Sequence, residues 1–328
     1  MSKDKRLPSS KATNLRAYVS IARPDHWVKN AFMLPGTALA FALYADDLKN
    51  RSLGEHVFSI VVAIVAACLV ASANYTINEW LDAASDRHHP TKRKRAAPRG
   101  QLNPRYVYLQ YALLAALGLA IASSIGRNFF LFSVLLLVMG VIYNVPAIRS
   151  KDTPYLDVLT ESLNNPIRLL LGWSAVLPVE LPPISILAAY WMGGAYLMAI
   201  KRYAEYRLIG NREISARYRK SFAHYDEGKL LISAMFYALN AAFFLGIFLI
   251  KYRFEFLVSF PMIALLFSWY LGLAMGPLSS KLNPERLYWE KRFAIYICLL
   301  IALLIVLLFV DLPFLNYFVD HNNVVRRR

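Results

Sequence analysis

Asn78, Asp82 and Asp86 recur at i, i+4 and i+8 in N-Y-T-I-N-E-W-L-D-A-A-S-D (74–86), with Glu79 about one position round. On a helix that spacing stacks the side chains along one face. Two carboxylates one turn apart repel unless something positive sits between them. A hard divalent cation such as Mg²⁺ meets that need, because it takes one or two carboxylates together with substrate phosphate oxygens. The competing explanation is a solvated acidic helix end pairing with Arg87 and Lys92. Position favours the metal–phosphate reading, since the acidic face closes a long apolar run and opens onto a basic loop. Asn78, Glu79, Asp82 and Asp86 are therefore expected to ligate the metal, with Asp82 and Asp86 as the catalytic pair.

The loop continues D-R-H-H-P-T-K-R-K-R (86–95). A diphosphate held by Mg²⁺ keeps charge that the metal does not neutralise, and Lys/Arg donors supply the remainder. Lys92, Arg93 and Arg95 are the candidates, against a purely topological or lipid-headgroup role. His88 and His89 lack a third ligand at a suitable spacing, which points them away from metal binding. P-D-H-W-V-K-N (24–30) offers Lys29 and Asn30 at the start of an apolar run. D-V-L-T-E-S-L-N-N-P-I-R (157–168) sets Asp157, Glu161 and Arg168 on roughly one face. A structural Glu161–Arg168 pair and a substrate contact are both open there. A-I-K-R-Y-A-E-Y (199–206) ends a further run with Lys201, Arg202 and Glu205, and A-R-Y-R-K-S (216–221) adds Lys220. Tyr143, at the end of the fourth run, completes the expected substrate contacts.

The elements that must position these groups are membrane helices. The 328 residues are 57% hydrophobic with mean hydropathy +0.39, too apolar for a soluble globular chain of this length. Net charge is +16, but apolar runs interrupt the basic residues, so the charge points to membrane topology and an anionic substrate rather than to nucleic acid. Cys68 and Cys298 both lie in apolar runs and read as small core residues. Residues 1–29 have no apolar stretch with a small-residue cleavage site, so they read as a basic tail rather than a signal peptide.

Nine runs of spanning length occur near 27–44, 57–77, 106–125, 129–147, 156–177, 183–201, 230–250, 255–275 and 293–313. With the amino terminus in the cytoplasm, 28 Lys/Arg fall in inside segments and 8 outside, among them the terminal Arg326–Arg328. The expectation is an all-α polytopic membrane protein, nine transmembrane helices around a central cavity with a cytoplasmic cap. A tail (1–26), one membrane domain (27–313) and a C-terminal tail (314–328) divide the chain. The active site then faces the cytoplasm, from the plasma membrane. A homo-oligomer is compatible with this organisation.

Asn78-Glu79-x-x-Asp82-x-x-x-Asp86 at the end of the second run resembles the first aspartate-rich motif of the UbiA superfamily of intramembrane prenyltransferases. That motif usually reads N-D-x-x-D-x-x-x-D, so Glu79 departs while keeping a carboxylate. W-V-K-N (27–30) also fits the family's first helix. Aromatic prenyltransferases of the superfamily carry a second D-x-x-x-D motif after helix six, where this chain has K-R-Y-A-E (201–205). H-P-T-K-R-K-R (89–95), K-R-Y-A-E and Y-R-K-S (218–221) resemble the decaprenyl-phosphate phosphoribosyltransferase branch instead. The resemblance, over residues about 22–225, implies Mg²⁺-dependent transfer of phosphoribose from phosphoribosyl diphosphate to a polyprenyl phosphate in cell-envelope precursor synthesis. Aromatic prenyl transfer from a polyprenyl diphosphate is the alternative. A lipid-intermediate transporter is a second, although it has no need of an acidic metal face.

Overall fold

The computed structural model describes residues 15–252, 254–276 and 290–315. Helix α1 (Leu15–Ala22) leads into a 3₁₀ stretch (Pro24–Met33), then α2 (Leu34–Leu43) and the single turn α3 (Ala45–Leu48). The long α4 (Leu53–Leu81) is followed by one turn, α5 (Ala83–Asp86), then α6 (Pro104–Ile125) and α7 (Arg127–Asn144). Next come α8 (Leu156–Ser162), α9 (Asn164–Ser174), α10 (Ile184–Ile209) and α11 (Arg212–Tyr218). The bundle closes with α12 (Glu227–Tyr252), α13 (Phe260–Met275) and α14 (Lys291–Phe309). No strand occurs among the described residues.

Helix α4 starts at a reciprocal cap. The Glu55 amide donates to Ser52 Oγ at 3.3 Å, and the Ser52 amide donates to Glu55 Oε2 at 2.7 Å. Its small residues Ala63, Ala66, Ala67 and Val70 are fully buried in a cluster with Phe129 and Leu136 of α7. Leu53, Val57, Phe58, Val61 and Val65 on the opposite side stay exposed. A stripe of that size on one helix suits lipid rather than water. Among the described residues six helical segments are long and apolar enough to cross a bilayer: Leu53–Leu81, Pro104–Ile125, Arg127–Asn144, Ile184–Ile209, Glu227–Tyr252 and Phe254–Met275.

The other three expected spans differ in build. The first is a 3₁₀ segment joined to the ten-residue α2, with Pro35 at the second position of that helix. The fifth is two helices, α8 and α9, rather than one. Pro166 has no N–H to give the Ser162 carbonyl, so the helical ladder is interrupted where the sequence turns polar. The last is α14, which ends before Asp311 and Pro313. Helices α2 and α9 cross at closest approach through two glycines. A Cβ on Gly172 would lie 1.8 Å from the Met33 carbonyl oxygen, and one on Gly36 would lie 2.1 Å from that of Leu169.

The expected amino-terminal tail contains α1, whose Ala17, Tyr18 and Ile21 are buried against Val107 and Trp80. The Asn103 amide donates to the Tyr18 hydroxyl at 3.0 Å, which ties the helix down. Cys298 is exposed on α14, not in the core, whereas Cys68 is buried. The expected C-terminal tail from 316 onward, with its Arg triplet, and most of the basic 276–292 loop lie outside the described residues.

Candidate active site

The ends of α4, α7 and α10, the broken pair α8–α9 and the loops after α5, α7 and α11 enclose one cavity of about 620 Å³. Twelve Lys/Arg line it against seven Asp/Glu, so the wall is cationic overall. Anionic ligands are favoured there, and the apolar surroundings strengthen the attraction.

Asp82 caps α4, and Asp86 ends α5 one turn later. The Asp86 amide donates to the Asp82 carbonyl at 2.8 Å and the Asp82 amide to that of Asn78 at 3.0 Å. The helical pitch therefore continues through the break, and Asn78, Asp82 and Asp86 all line the cavity. Asp82 Oδ1 accepts from Lys151 Nζ and from Arg149 Nη2, both at 2.5 Å. Burial alone would raise its pKa, but Lys151 and Arg149 outweigh it and hold the carboxyl below the ordinary value. Asp86 Oδ2 accepts from Arg95 Nη1 at 3.0 Å. Here burial prevails over Lys92 and Arg95, and the carboxyl lies above its ordinary value. Asn78 Nδ2 donates to Asn144 Oδ1 at 2.5 Å. Glu79 is buried, and the Ala97 amide approaches its Oε1 at 3.5 Å.

This donor set fits a Mg²⁺ ion that shares its shell with substrate, because Asp82 and Asp86 are hard oxygen ligands in one cavity. It is not a closed cage. Among the described residues no group of three or more His, Cys, Asp or Glu is arranged to hold a metal.

The second charged end, on α10, is organised around Arg202. Its guanidinium is almost fully buried and donates to Glu205 Oε2 at 2.9 Å, Glu161 Oε2 at 2.5 Å and the Tyr143 hydroxyl at 3.0 Å. Its Nε also lies 3.4 Å from Asp157 Oδ2. Arg202, expected at the substrate, is thus committed to three carboxylates. Glu161 is bound by Arg202 and by the Tyr143 O–H at 2.6 Å, so its ion-pair partner comes from α10 and not from Arg168. Glu205 also accepts from Lys92 Nζ at 3.1 Å. Tyr143 additionally accepts from Arg219 Nη1 at 3.2 Å.

Lys29, Lys92, Arg95, Tyr143, Arg168, Lys201, Arg202, Glu205 and Lys220 all line the cavity. Lys220 does so from an exposed position, paired with Asp152 at 3.1 Å. Two expected contacts do not reach it. Arg93 is exposed outside, and Asn30 sits behind the wall, donating to Cys68 Sγ at 3.1 Å. Lys151, Arg149 and Arg219 were not singled out in the sequence, yet they place guanidinium and ammonium groups in the cavity. The available signal was the pair of cations in the short loop directly after Tyr143-Asn144. His89 is buried and accepts at Nδ1 from the Thr91 and Lys92 amides at 3.2 and 3.3 Å, so it shapes the basic loop and is not ligand-like.

Two charged helix ends thus converge on one cationic cavity within a bundle of membrane-length apolar helices. A profile of the UbiA prenyltransferase family matches residues 33–277, and the chain belongs to that family. It is 32% identical over 212 residues to the decaprenyl-phosphate phosphoribosyltransferase of Corynebacterium glutamicum, covering 63% of this chain and 59% of that protein. It is 31% identical over 189 residues to nodulation protein NoeC of Azorhizobium caulinodans, covering 57% of each. The chain thus spans about three fifths of the length of these curated relatives. A UbiA homologue from Archaeoglobus fulgidus, solved with DMAPP and Mg²⁺, superposes with a TM-score of 0.65 over 90% of this chain and 100% of that one. At 22% identity that likeness speaks for the fold alone.

Proposed function

We propose that this protein transfers phosphoribose from phosphoribosyl diphosphate to a polyprenyl phosphate, releasing diphosphate. The carrying observation is the charge layout of one cavity: two carboxylates, Asp82 and Asp86, face a wall of twelve cations. The phosphoribosyltransferase relative named above supports the same reading. Asp82 and Asp86 would hold the Mg²⁺, with Asn78 beside them. Bound there, the ion would supply Lewis-acid neutralisation of the leaving diphosphate.

Lys92, Arg95, Arg149 and Lys151 surround the two carboxylates and meet the diphosphate oxygens. Lys201 and Arg219, from the α10 side, meet the ribose phosphate. An oxygen of the polyprenyl phosphate forms a bond to the anomeric carbon, and the carbon–oxygen bond to diphosphate breaks, the electron pair leaving with diphosphate. A phosphate nucleophile is already anionic at neutral pH, so no general base is required. The α10 end also weighs against aromatic prenyl transfer. That reaction calls for a second carboxylate pair, and Glu205 is taken by Lys92 and Arg202.

In this reading α2 with its 3₁₀ lead, the α8–α9 pair and α14 complete nine crossings. The cavity mouth faces the cytoplasm, where the basic loops collect. Binding of phosphoribosyl diphosphate to the purified protein tests the donor half of the proposal. Affinity should require Mg²⁺ and fall at least about tenfold in Asp82→Asn and Asp86→Asn. Binding indifferent to both substitutions and to metal removal would remove the site assignment.

A further inference from the structure

Most of the cavity's buried cations are matched by carboxylates, but Arg168 is not. It is 7% exposed, lies on α9 and lines the cavity. Its Nε donates to Asn30 Oδ1 at 3.1 Å and its Nη1 to the Asn164 carbonyl at 3.2 Å, both neutral acceptors. Among the described residues no carboxylate pairs with it, whereas Arg202 has three, Arg95 has Asp86 and Arg149 has Asp82. A guanidinium buried without a counter-charge is costly, and in a membrane protein such a group marks a substrate pathway.

Asn165 lies three residues before Arg168 on α9, so the two side chains are neighbours on its surface. It lines the cavity with no hydrogen-bond partner among the described residues, its Nδ2 against Gly194 of α10, where a Cβ would come within 2.1 Å. Phe32, Leu197 and Met198 line the same cavity. The ensemble is one unmatched cation and one free amide set among apolar walls.

We propose that this is the acceptor subsite: Arg168 and Asn165 hold the phosphate of an isoprenyl monophosphate. The proposal rests on the phosphoribosyl-transfer reading. The donor's phosphates have their own cations on the loops beside Asp82 and Asp86. An anion that brings an apolar tail is the ligand matched to a buried cation among apolar walls. The lipid phosphate supplies the counter-charge that Arg168 lacks, and Arg168 fixes the nucleophilic phosphate by charge-assisted hydrogen bonds.

The test uses purified protein in detergent, with farnesyl phosphate as ligand and farnesol as the uncharged control. Arg168→Gln should weaken farnesyl phosphate binding roughly ten- to hundredfold, leaving farnesol binding and Mg²⁺-dependent phosphoribosyl diphosphate binding at wild-type values. Farnesyl phosphate should raise the Tm of the wild type but not of Arg168→Gln. Asn165→Ala, which leaves every described hydrogen bond in place, should weaken the same ligand by a smaller factor. Unchanged farnesyl phosphate affinity in both variants, or loss of donor affinity in its place, overturns the subsite. Should the wild type bind farnesyl phosphate through Arg168 and yet transfer no phosphoribose, the subsite stands and the transfer reading fails.

Discussion

Lys92 Nζ donates to Glu205 Oε1 at 3.1 Å across 113 residues of sequence, and the same ammonium meets the Tyr218 hydroxyl. The basic loop after α5 is thereby fastened to the end of α10 and to α11. The pair is largely buried; without Glu205 the Lys92 ammonium loses its carboxylate, and without Lys92 Glu205 keeps only Arg202. Lys92→Met and Glu205→Gln should each destabilise the protein, and the double variant should be less damaged than the sum. A coupling energy of roughly 0.5–3 kcal/mol is expected from thermal unfolding in detergent.

Neighbouring cations on α10 should behave oppositely. Arg202→Ala takes the shared guanidinium away from Asp157, Glu161 and Glu205, and a loss of about 3–5 kcal/mol should show as poor yield and early unfolding. Lys201→Ala should fold normally and raise the KM for phosphoribosyl diphosphate roughly tenfold, with the lipid KM unchanged. A stable Arg202→Ala with a raised donor KM would return Arg202 to the substrate.

His89 carries a pH signature. Burial first, then Lys92, lowers its pKa from 6.5 to about 4. The unfolded chain therefore takes up a proton between those values that the folded protein refuses. Stability from this group is fully present above pH 6.5 and is lost as pH falls toward 4, to a total of ~3 kcal/mol. Unfolding followed from pH 7 to 4.5 should show a shallower decline in His89→Gln than in wild type. Parallel profiles would contradict the buried neutral imidazole.

The crossing of α2 and α9 makes Gly172→Ala a packing test. Its methyl group would meet the Met33 carbonyl oxygen, so the helices must separate at a cost of about 1–3 kcal/mol. Gly246→Ala, where a Cβ meets nothing within 4 Å, is the control and should not destabilise the protein.

How much of this was legible in the chain depends on whether the signal was local. The Asp82–Asp86 face follows from i, i+4 spacing and survives the kink at Asp82, because the amide ladder continues. Hydropathy located the apolar runs but is blind to helix continuity, so the break between α8 and α9 and the 3₁₀ stretch before α2 did not appear in it. The partners of Arg202 come from α8 and α10 itself, and its carboxylate demand depends on how those helices meet. In the sequence Arg168 shares a helix face with Asp157 and Glu161 and looked like a partner for them. Only the packing shows that one arginine is matched and the other is not. Lys151 and Arg149 were hidden by the shortness of their loop, which read as topology.

The transfer of labelled phosphoribose tests the central claim most directly. Purified protein is incubated with Mg²⁺, phosphoribosyl diphosphate labelled in the ribose, and decaprenyl phosphate, and label is followed into the organic phase. The account predicts lipid-soluble label and released diphosphate in equal amounts, both abolished by chelation and by Asp82→Asn. Label that stays in the aqueous phase, while the same protein consumes a polyprenyl diphosphate with an aromatic acid, would contradict it.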